Sequence, residues 1–441
     1  MDNKRVKYKK NYISVSYKFL ISHISALIWT VFAIYISINW INDLSKIITL
    51  PIAIIIIAGI AYIPGYLNIF LIVSLIIDNP PALENTHPTD DITIIIAARN
   101  EGDTIANTLS YVANQDYTGK CKILVIDNGS TDKTASNAIK EAAKLNIDVL
   151  VIREDNPGKY NALNTGLEYV TTNFVITLDA DTLLHKSAVR YLVARIKIAP
   201  SEICAVAGCM LARNSRDNLL TEMQSWDYFL GIASIKRMQG LYQGVLVAQG
   251  AFSIYKTKNI KEVYGWPNAI GEDIVLTWNL LNKGWITYFE PLAVAFTDLP
   301  TSLRSFSRQR SRWARGMIEA LKKIKPWKQP KIYIKYLTSV NLIMPYLDFV
   351  YTFCWIPGLI LAFCGIYWVV GSTTLLVLPL TFISYTILYK YQMNVFKNLN
   401  LQTRKNMFGF IFFVLFYQII MSPVSVWGYL QELFKSERKW K

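Results

Sequence analysis

Two carboxylates one residue apart, in Leu178-Asp179-Ala180-Asp181-Thr182, follow directly on an apolar run. At the exit of a strand, positions i and i+2 share a face. Both can therefore converge on a hard cation such as Mg²⁺ or Mn²⁺, which takes oxygen ligands and shares them with substrate phosphates. Alone, the pair fits a solvated turn as well, because Asp is common in turns. Four other segments have the same double character. Ala97-Ala98-Arg99-Asn100-Glu101 and Asp127-Asn128-Gly129-Ser130-Thr131-Asp132 each end a β-branched run, where a helix cap and a ligand loop look alike. Asn156-Pro157-Gly158-Lys159 sets a lysine beside a glycine turn, within reach of a pyrophosphate or of plain solvent. Gly271-Glu272-Asp273 opens a helical stretch, either as a favourable acidic first turn or as the source of a general base.

A sixth segment, Gln309-Arg310-Ser311-Arg312-Trp313, combines guanidinium groups with an indole. Such a helix anchors at a membrane face. Its Arg also suits a leaving diphosphate, through paired hydrogen bonds, and its Trp the apolar face of a sugar. Three His (His23, His87, His185) do not assemble a zinc site or a Ser/His/Asp triad. The five Cys lack Cys-x-x-Cys spacing, which points to reduced thiols.

These segments need a scaffold that brings strand ends together. From Ile92 onward, β-branched runs (Ile92 to Ala98, Ile123 to Ile126, Phe174 to Leu178) alternate with helical stretches such as Thr104 to Asn114 and Thr134 to Leu145. That alternation predicts a mostly parallel, three-layer α/β sheet with its ligand at the carboxyl ends of the strands.

On either side the texture changes. Phe19 to Ile41 and Ile47 to Ile77 contain no Asp, Glu, Lys or Arg, and each is long enough for the ~20 apolar residues of a spanning helix. Pro64-Gly65 is expected to kink the second. Six basic residues (Lys4, Arg5, Lys7, Lys9, Lys10, Lys18) precede the first run and place the N-terminus, and so the domain after the hairpin, in the cytoplasm. The stretch from Arg304 through Lys335 is basic and amphipathic, as at a membrane surface. Tyr336 to Tyr389 holds one charge, Asp348, and Asn406 to Gln431 none. The expected organisation is a basic N-terminus with two transmembrane helices (1–78), a cytoplasmic α/β domain (79–300), amphipathic interfacial helices (301–335), and three or four transmembrane segments with a basic tail (336–441). The tail favours an even number of crossings, whereas the simplest count is five.

Composition agrees with a membrane protein. Of 441 residues 52% are hydrophobic and 17% charged, which excludes disordered, collagen-like and disulfide-rich secreted chains. The net charge of +15 raises the question of nucleic acid. From Asp90 to Asp298, however, twenty Lys/Arg face twenty-three Asp/Glu, so the basic excess flanks the apolar runs and no nucleic-acid partner is expected.

In order and spacing, Asp127, Asp179-Ala180-Asp181, Glu272-Asp273 and Gln309 to Trp313 resemble the pattern of the membrane-embedded, processive, inverting family 2 β-glycosyltransferases, which include cellulose, chitin, hyaluronan and poly-N-acetylglucosamine synthases. The resemblance covers about Asp90 to Lys323. It implies a GT-A (Rossmann-like) domain inserted between transmembrane helices, an integral protein of the cell membrane, and polymerisation of a UDP-sugar into an exported β-linked exopolysaccharide. By the same resemblance Ala98, Arg99, Asn100, Glu101, Asp127, Lys159 and Asp179 would hold the UDP portion of the donor, with Gln309 and Arg312 at the diphosphate. Asp181 would bind Mg²⁺ or Mn²⁺, Asp273 would be the catalytic base, and Gln249, Gly250, Glu272 and Trp313 would meet the growing polysaccharide. The lipid bilayer is a partner, and a small accessory subunit accompanies some relatives.

Within that family, Ile235 to Gln239, Tyr288 to Ala293 and Gln309 to Ala314 are similar to segments of bacterial poly-β-1,6-N-acetylglucosamine synthases, which makes UDP-N-acetylglucosamine the expected donor. Those enzymes carry a Ser-Gly pair where this chain has Gln249-Gly250-Ala251-Phe252, so the sugar and linkage stay open. Transfer of a single sugar to a lipid acceptor, or synthesis of a hyaluronan-, chitin- or cellulose-like polymer, is the alternative.

Overall fold

The computed structural model describes residues 13–83, 86–198, 202–371, 377–402 and 406–435. Of the N-terminal basic residues, Lys18 alone is among them. The chain divides into two compact units. One comprises residues 1–84 and 353–387, the other 85–352 and 388–441.

In the first unit, Val15–Ile36 packs along Ile63–Ile76, with a Ser74–Ser22 hydroxyl hydrogen bond of 3.1 Å between them. The second helix is irregular where a kink is expected. A π-turn occupies Ala58–Tyr62, one turn before Pro64, because proline has no N–H to donate and its ring displaces the carbonyl four residues back. Four helical runs among the described residues are long and apolar enough to cross a membrane: Val15–Ile36, Leu50–Ile76, Ile332–Phe363 and Met407–Leu433.

The second unit is built on an eight-stranded sheet. Its strands are β1 (Ile92–Ala98), β2 (Cys121–Asp127), β3 (Val149–Arg153), β4 (Phe174–Asp179), β5 (Leu183–Leu184), β6 (Ile203–Ala212), β7 (Phe252–Lys256) and β8 (Ile286–Thr297), in the order β3-β2-β1-β4-β7-β6-β8-β5. The first four pair in parallel, and β7 runs against both β4 and β6. Helices cover both faces. Ile94 and Ile96 of β1 pack toward Ile105 and Leu109, while Ile95 packs toward Ala162 and Leu163. Two-sided burial explains why β1 is an unbroken apolar run rather than an alternating one.

Register decides where the chemistry gathers. Ala98 lies opposite Asp127, and Ala97 opposite Asp179, so the last residues of β2 and β4 flank the end of β1. Beyond the sheet, Ser302 caps the amphipathic helix Leu303–Lys323, which packs against the helices Glu272–Asn282 and Met407–Leu433.

Candidate active site

The loops at this edge are laced together before any ligand arrives. Asn100 adopts a left-handed conformation (φ 56°), and its side-chain oxygen accepts from Thr131 N at 2.9 Å while its own N–H donates to Ser130 Oγ at 3.0 Å. Asp127, 4% exposed, accepts from Ser130 N at 3.0 Å. Asn128 ties this loop to the next strand exit by accepting from Gly158 N at 2.8 Å and donating to Asn156 O at 2.7 Å. Gly158 has φ 136°, a conformation L side chains rarely adopt, and the helix Lys159–Glu168 starts immediately after it.

Lys159 is thereby aimed across the edge of the sheet. Its ammonium donates to Asp179 and lies 3.9 Å from Glu272. Burial alone would lower its pKa, but Asp179 and Glu272 outweigh burial and raise it, so Lys159 is held as a cation. Three further carboxyls, Glu101, Asp181 and Asp273, complete the cluster. Glu101, Asp179 and Asp181 interact, and burial followed by Asp179 and Glu101 pushes the Asp181 carboxyl up to about 6. Burial also raises Glu101. Glu272 is pushed up to about 7 by burial and by Asp273, against the pull of Lys159 and Arg312.

Asp273 is the best anchored of these acids. Its Oδ1 accepts from Ile274 N at 2.8 Å and its Oδ2 from Gly250 N at 3.3 Å. Gly250 fits there because it has no side chain: a Cβ would lie 3.0 Å from Lys159 Nζ. Gly250→Ala would push the Lys159 ammonium aside by a few tenths of an ångström and is expected to cut kcat about threefold to tenfold, less than the roughly hundredfold of a full ångström, while thermal denaturation stays near that of the parent. Unchanged kcat would remove Gly250 from the site. Gln249 donates to Gly208 O at 2.6 Å and Phe252 O at 3.2 Å, which fixes its amide against β6 and β7.

The Leu303–Lys323 helix closes the site through contacts that leave no room for side chains. Gly316 meets Gly271, where a Cβ on either would be 3.0 Å from the other's Cα. Glu319 accepts from Ile270 N at 2.8 Å, just ahead of the acidic pair. Arg312 is close enough to Glu272 to help keep it ionised. Trp313 is 41% exposed, and the Arg310 guanidinium lies 4.1 Å from its ring centroid. Gln309 has a buried Oε1 with no hydrogen-bond partner among the described residues.

Sequence reasoning missed the support behind Trp313. Arg310 is 3.2 Å from Asp227, which also accepts from Tyr417 OH at 2.7 Å. Asp227 lies in a π-turn (Asp227–Ile232), a form that often marks functional sites but leaves no sequence signal.

Residues 93–264 match the family described as glycosyl transferase family 2. The chain carries a family 2 glycosyltransferase domain. Two curated relatives bear the name poly-beta-1,6-N-acetyl-D-glucosamine synthase. The one from Staphylococcus aureus (strain MSSA476) is 35% identical over 238 residues, which is 54% of this chain and 57% of the relative. The one from Staphylococcus epidermidis is 34% identical over 233 residues, 53% of this chain and 56% of the relative. The aligned part thus spans little more than half the length of these relatives. Among solved structures, a mannosyltransferase from Pyrobaculum calidifontis, in complex with GDP-Man and Mn²⁺, superposes with a TM-score of 0.62 at 18% identity, covering 87% of this chain and 99% of that one. The glycosyltransferase domain therefore has the mixed α/β GT-A sheet expected for it, with Asp127 and Asp179 at the carboxyl ends of β2 and β4 and Lys159, Asp181, Glu272 and Asp273 grouped about Asp179.

Proposed function

We propose that the chain is a membrane-bound, processive, inverting glycosyltransferase. It moves N-acetylglucosamine from its UDP donor onto the end of a growing β-linked exopolysaccharide and exports the chain. One observation supports the reading: Asp179 and Glu272 both reach the Lys159 ammonium with Asp273 near it, and the strand register sets Asp127 and Asp179 on either side of the end of β1. The names of the staphylococcal relatives support the donor and the polymer.

Asp273 accepts the proton of the acceptor hydroxyl as its oxygen bonds to the anomeric carbon. The bond from that carbon to the diphosphate oxygen breaks, and UDP departs. One displacement inverts the centre, so no protein nucleophile is required. Lys159 and Arg312 meet the charge that develops on the diphosphate. Among the described residues no three His, Cys, Asp or Glu enclose a metal site by themselves. The raised Asp181 carboxyl beside Asp179 nevertheless fits a divalent cation that completes its shell from substrate phosphates. Such a cation would neutralise the leaving group.

The test is UDP release by the purified protein with Mg²⁺ or Mn²⁺ across a panel of UDP-sugars, with sizing of the product. High-mass polymer from the N-acetylglucosamine donor alone bears the reading out. A single lipid-linked sugar would replace it with the non-processive alternative. For export, polymer must accumulate inside sealed inverted vesicles; polymer outside them refutes it. Trp313→Ala should slow elongation about tenfold while sparing donor hydrolysis, since a sugar-stacking indole contributes roughly 1 kcal/mol or more. Equal loss of both would make the indole structural.

A further inference from the structure

We infer that the Met407–Leu433 helix, apolar enough to cross a bilayer, instead lies along the membrane surface on the side of the glycosyltransferase domain. Its 27 residues extend about 40 Å, more than the ~30 Å of hydrocarbon a crossing needs. Yet its beginning, middle and end all touch the same folded domain. At the start, Asn406 O accepts from Trp226 Nε1 at 3.0 Å, and a Cβ on Gly409 would lie 2.7 Å from Glu222 Cβ. In the middle, Tyr417 OH donates to Asp227, and its ring stands edge-on to Phe306 at 6.1 Å. Near the end, a Cβ on Gly428 would lie 2.5 Å from Ser311 O. At the end, Lys322 Nζ donates to Glu432 O at 2.9 Å, with Arg315 3.6 Å from the Glu432 carboxylate.

These partners belong to the Leu219–Trp226 helix with its π-turn and to the Leu303–Lys323 helix, which the Gly316–Gly271 and Glu319–Ile270 contacts bind to the acidic loop of the site. With its exposed Arg304, Arg308 and Arg312, the Leu303–Lys323 helix cannot sit in hydrocarbon. A helix held at both ends by a domain on one side of the bilayer has not crossed it.

Two faces divide the helix accordingly. Gly409, Tyr417, Ser422, Ser425, Gly428 and Glu432 are buried against the domain and the neighbouring Ile332–Val350 helix, where Asp348 accepts from Ser422 at 2.9 Å and Tyr429 at 2.7 Å. Phe408, Ile411, Leu415, Trp427, Leu430 and Phe434 are exposed on the other side. The occupant of that face is the anionic lipid surface. Lys323, Lys328 and Lys435 are exposed toward the C-terminal end together with Trp327, the pairing of cation and indole that settles at headgroup depth.

The test uses the full chain with its five Cys replaced and single Cys introduced. In sealed inverted vesicles, a membrane-impermeant maleimide should label Tyr264→Cys, on an exposed loop of the domain, and Lys435→Cys from the same side. Labelling of the two from opposite sides would overturn the inference. Fluorophores on Phe408→Cys, Leu415→Cys and Leu430→Cys, in liposomes of zwitterionic and anionic phospholipid, should all be quenched most by nitroxides near the headgroup. Strongest quenching of Leu415→Cys by a nitroxide deep in the chains would show a crossing. No quenching by either would show that protein rather than lipid covers the face. Either result refutes the proposal.

Discussion

Asp273→Asn is expected to lower kcat by about three to four orders of magnitude while UDP-sugar affinity stays within a few-fold. General-base catalysis contributes roughly 10²- to 10⁴-fold, and the amide cannot accept a proton in the transition state. The carboxylate accepts two backbone hydrogen bonds, from Ile274 N and Gly250 N. An Asn oxygen can keep one, and its NH2 must face the other donor. A stability loss of about 1 kcal/mol should accompany the catalytic defect, since that is the net worth of one such bond. Isothermal titration with UDP gives the affinity, and UDP release the rate. Retention of a tenth of parental turnover would remove Asp273 from the role of base.

Lys159→Met should have the second largest effect, and on a different observable. Deleting the ammonium leaves Asp179, Glu272 and Asp273 without the cation that stands among them. Breaking a fully buried ion pair costs about 3 to 5 kcal/mol. Because Asp179 is partly open to water, about 2 kcal/mol is the reasonable figure here. Donor binding should fall about tenfold to a hundredfold, since the diphosphate would lose one of the two side-chain cations proposed to meet it while the carboxylates around it remain. The double variant Lys159→Met, Glu272→Gln separates the two effects. It should recover much of the melting temperature and none of the donor affinity. Recovery of both would reduce Lys159 to a structural counter-ion.

The elements of the site were legible and their assembly was not. β-branched runs marked β1, β2 and β4, and turn residues marked where each ended, so Asp127, Asp179 and Asp181 were found by local chemistry. That Ala98 faces Asp127 and Ala97 faces Asp179 depends on strand register, a property of the paired chains rather than of either sequence. The bridging role of Lys159 required the loop held by Asn128 and Gly158, whose hydrogen bonds reach across about thirty residues. The Asp227–Arg310–Tyr417 cluster joins positions up to 190 residues apart, beyond any local pattern. For Met407–Leu433, composition fixed the affinity for lipid, while the buried stripe that sets its direction of packing shows itself only against its neighbours.

Gly271, Gly316 and Gly428 have a consequence for how such a sequence can drift. At each, a single added methyl would strike backbone atoms at 3.0 Å or less, and backbone cannot step aside as a flexible side chain can. The exposed apolar face of Met407–Leu433 can exchange Phe for Leu or Ile with little effect, because lipid accepts any of them. In a saturation library selected for polymer synthesis, that face should diversify freely. The three glycines should return almost unchanged, and with them the distance from the lipid-side helix to Asp273, the proposed base.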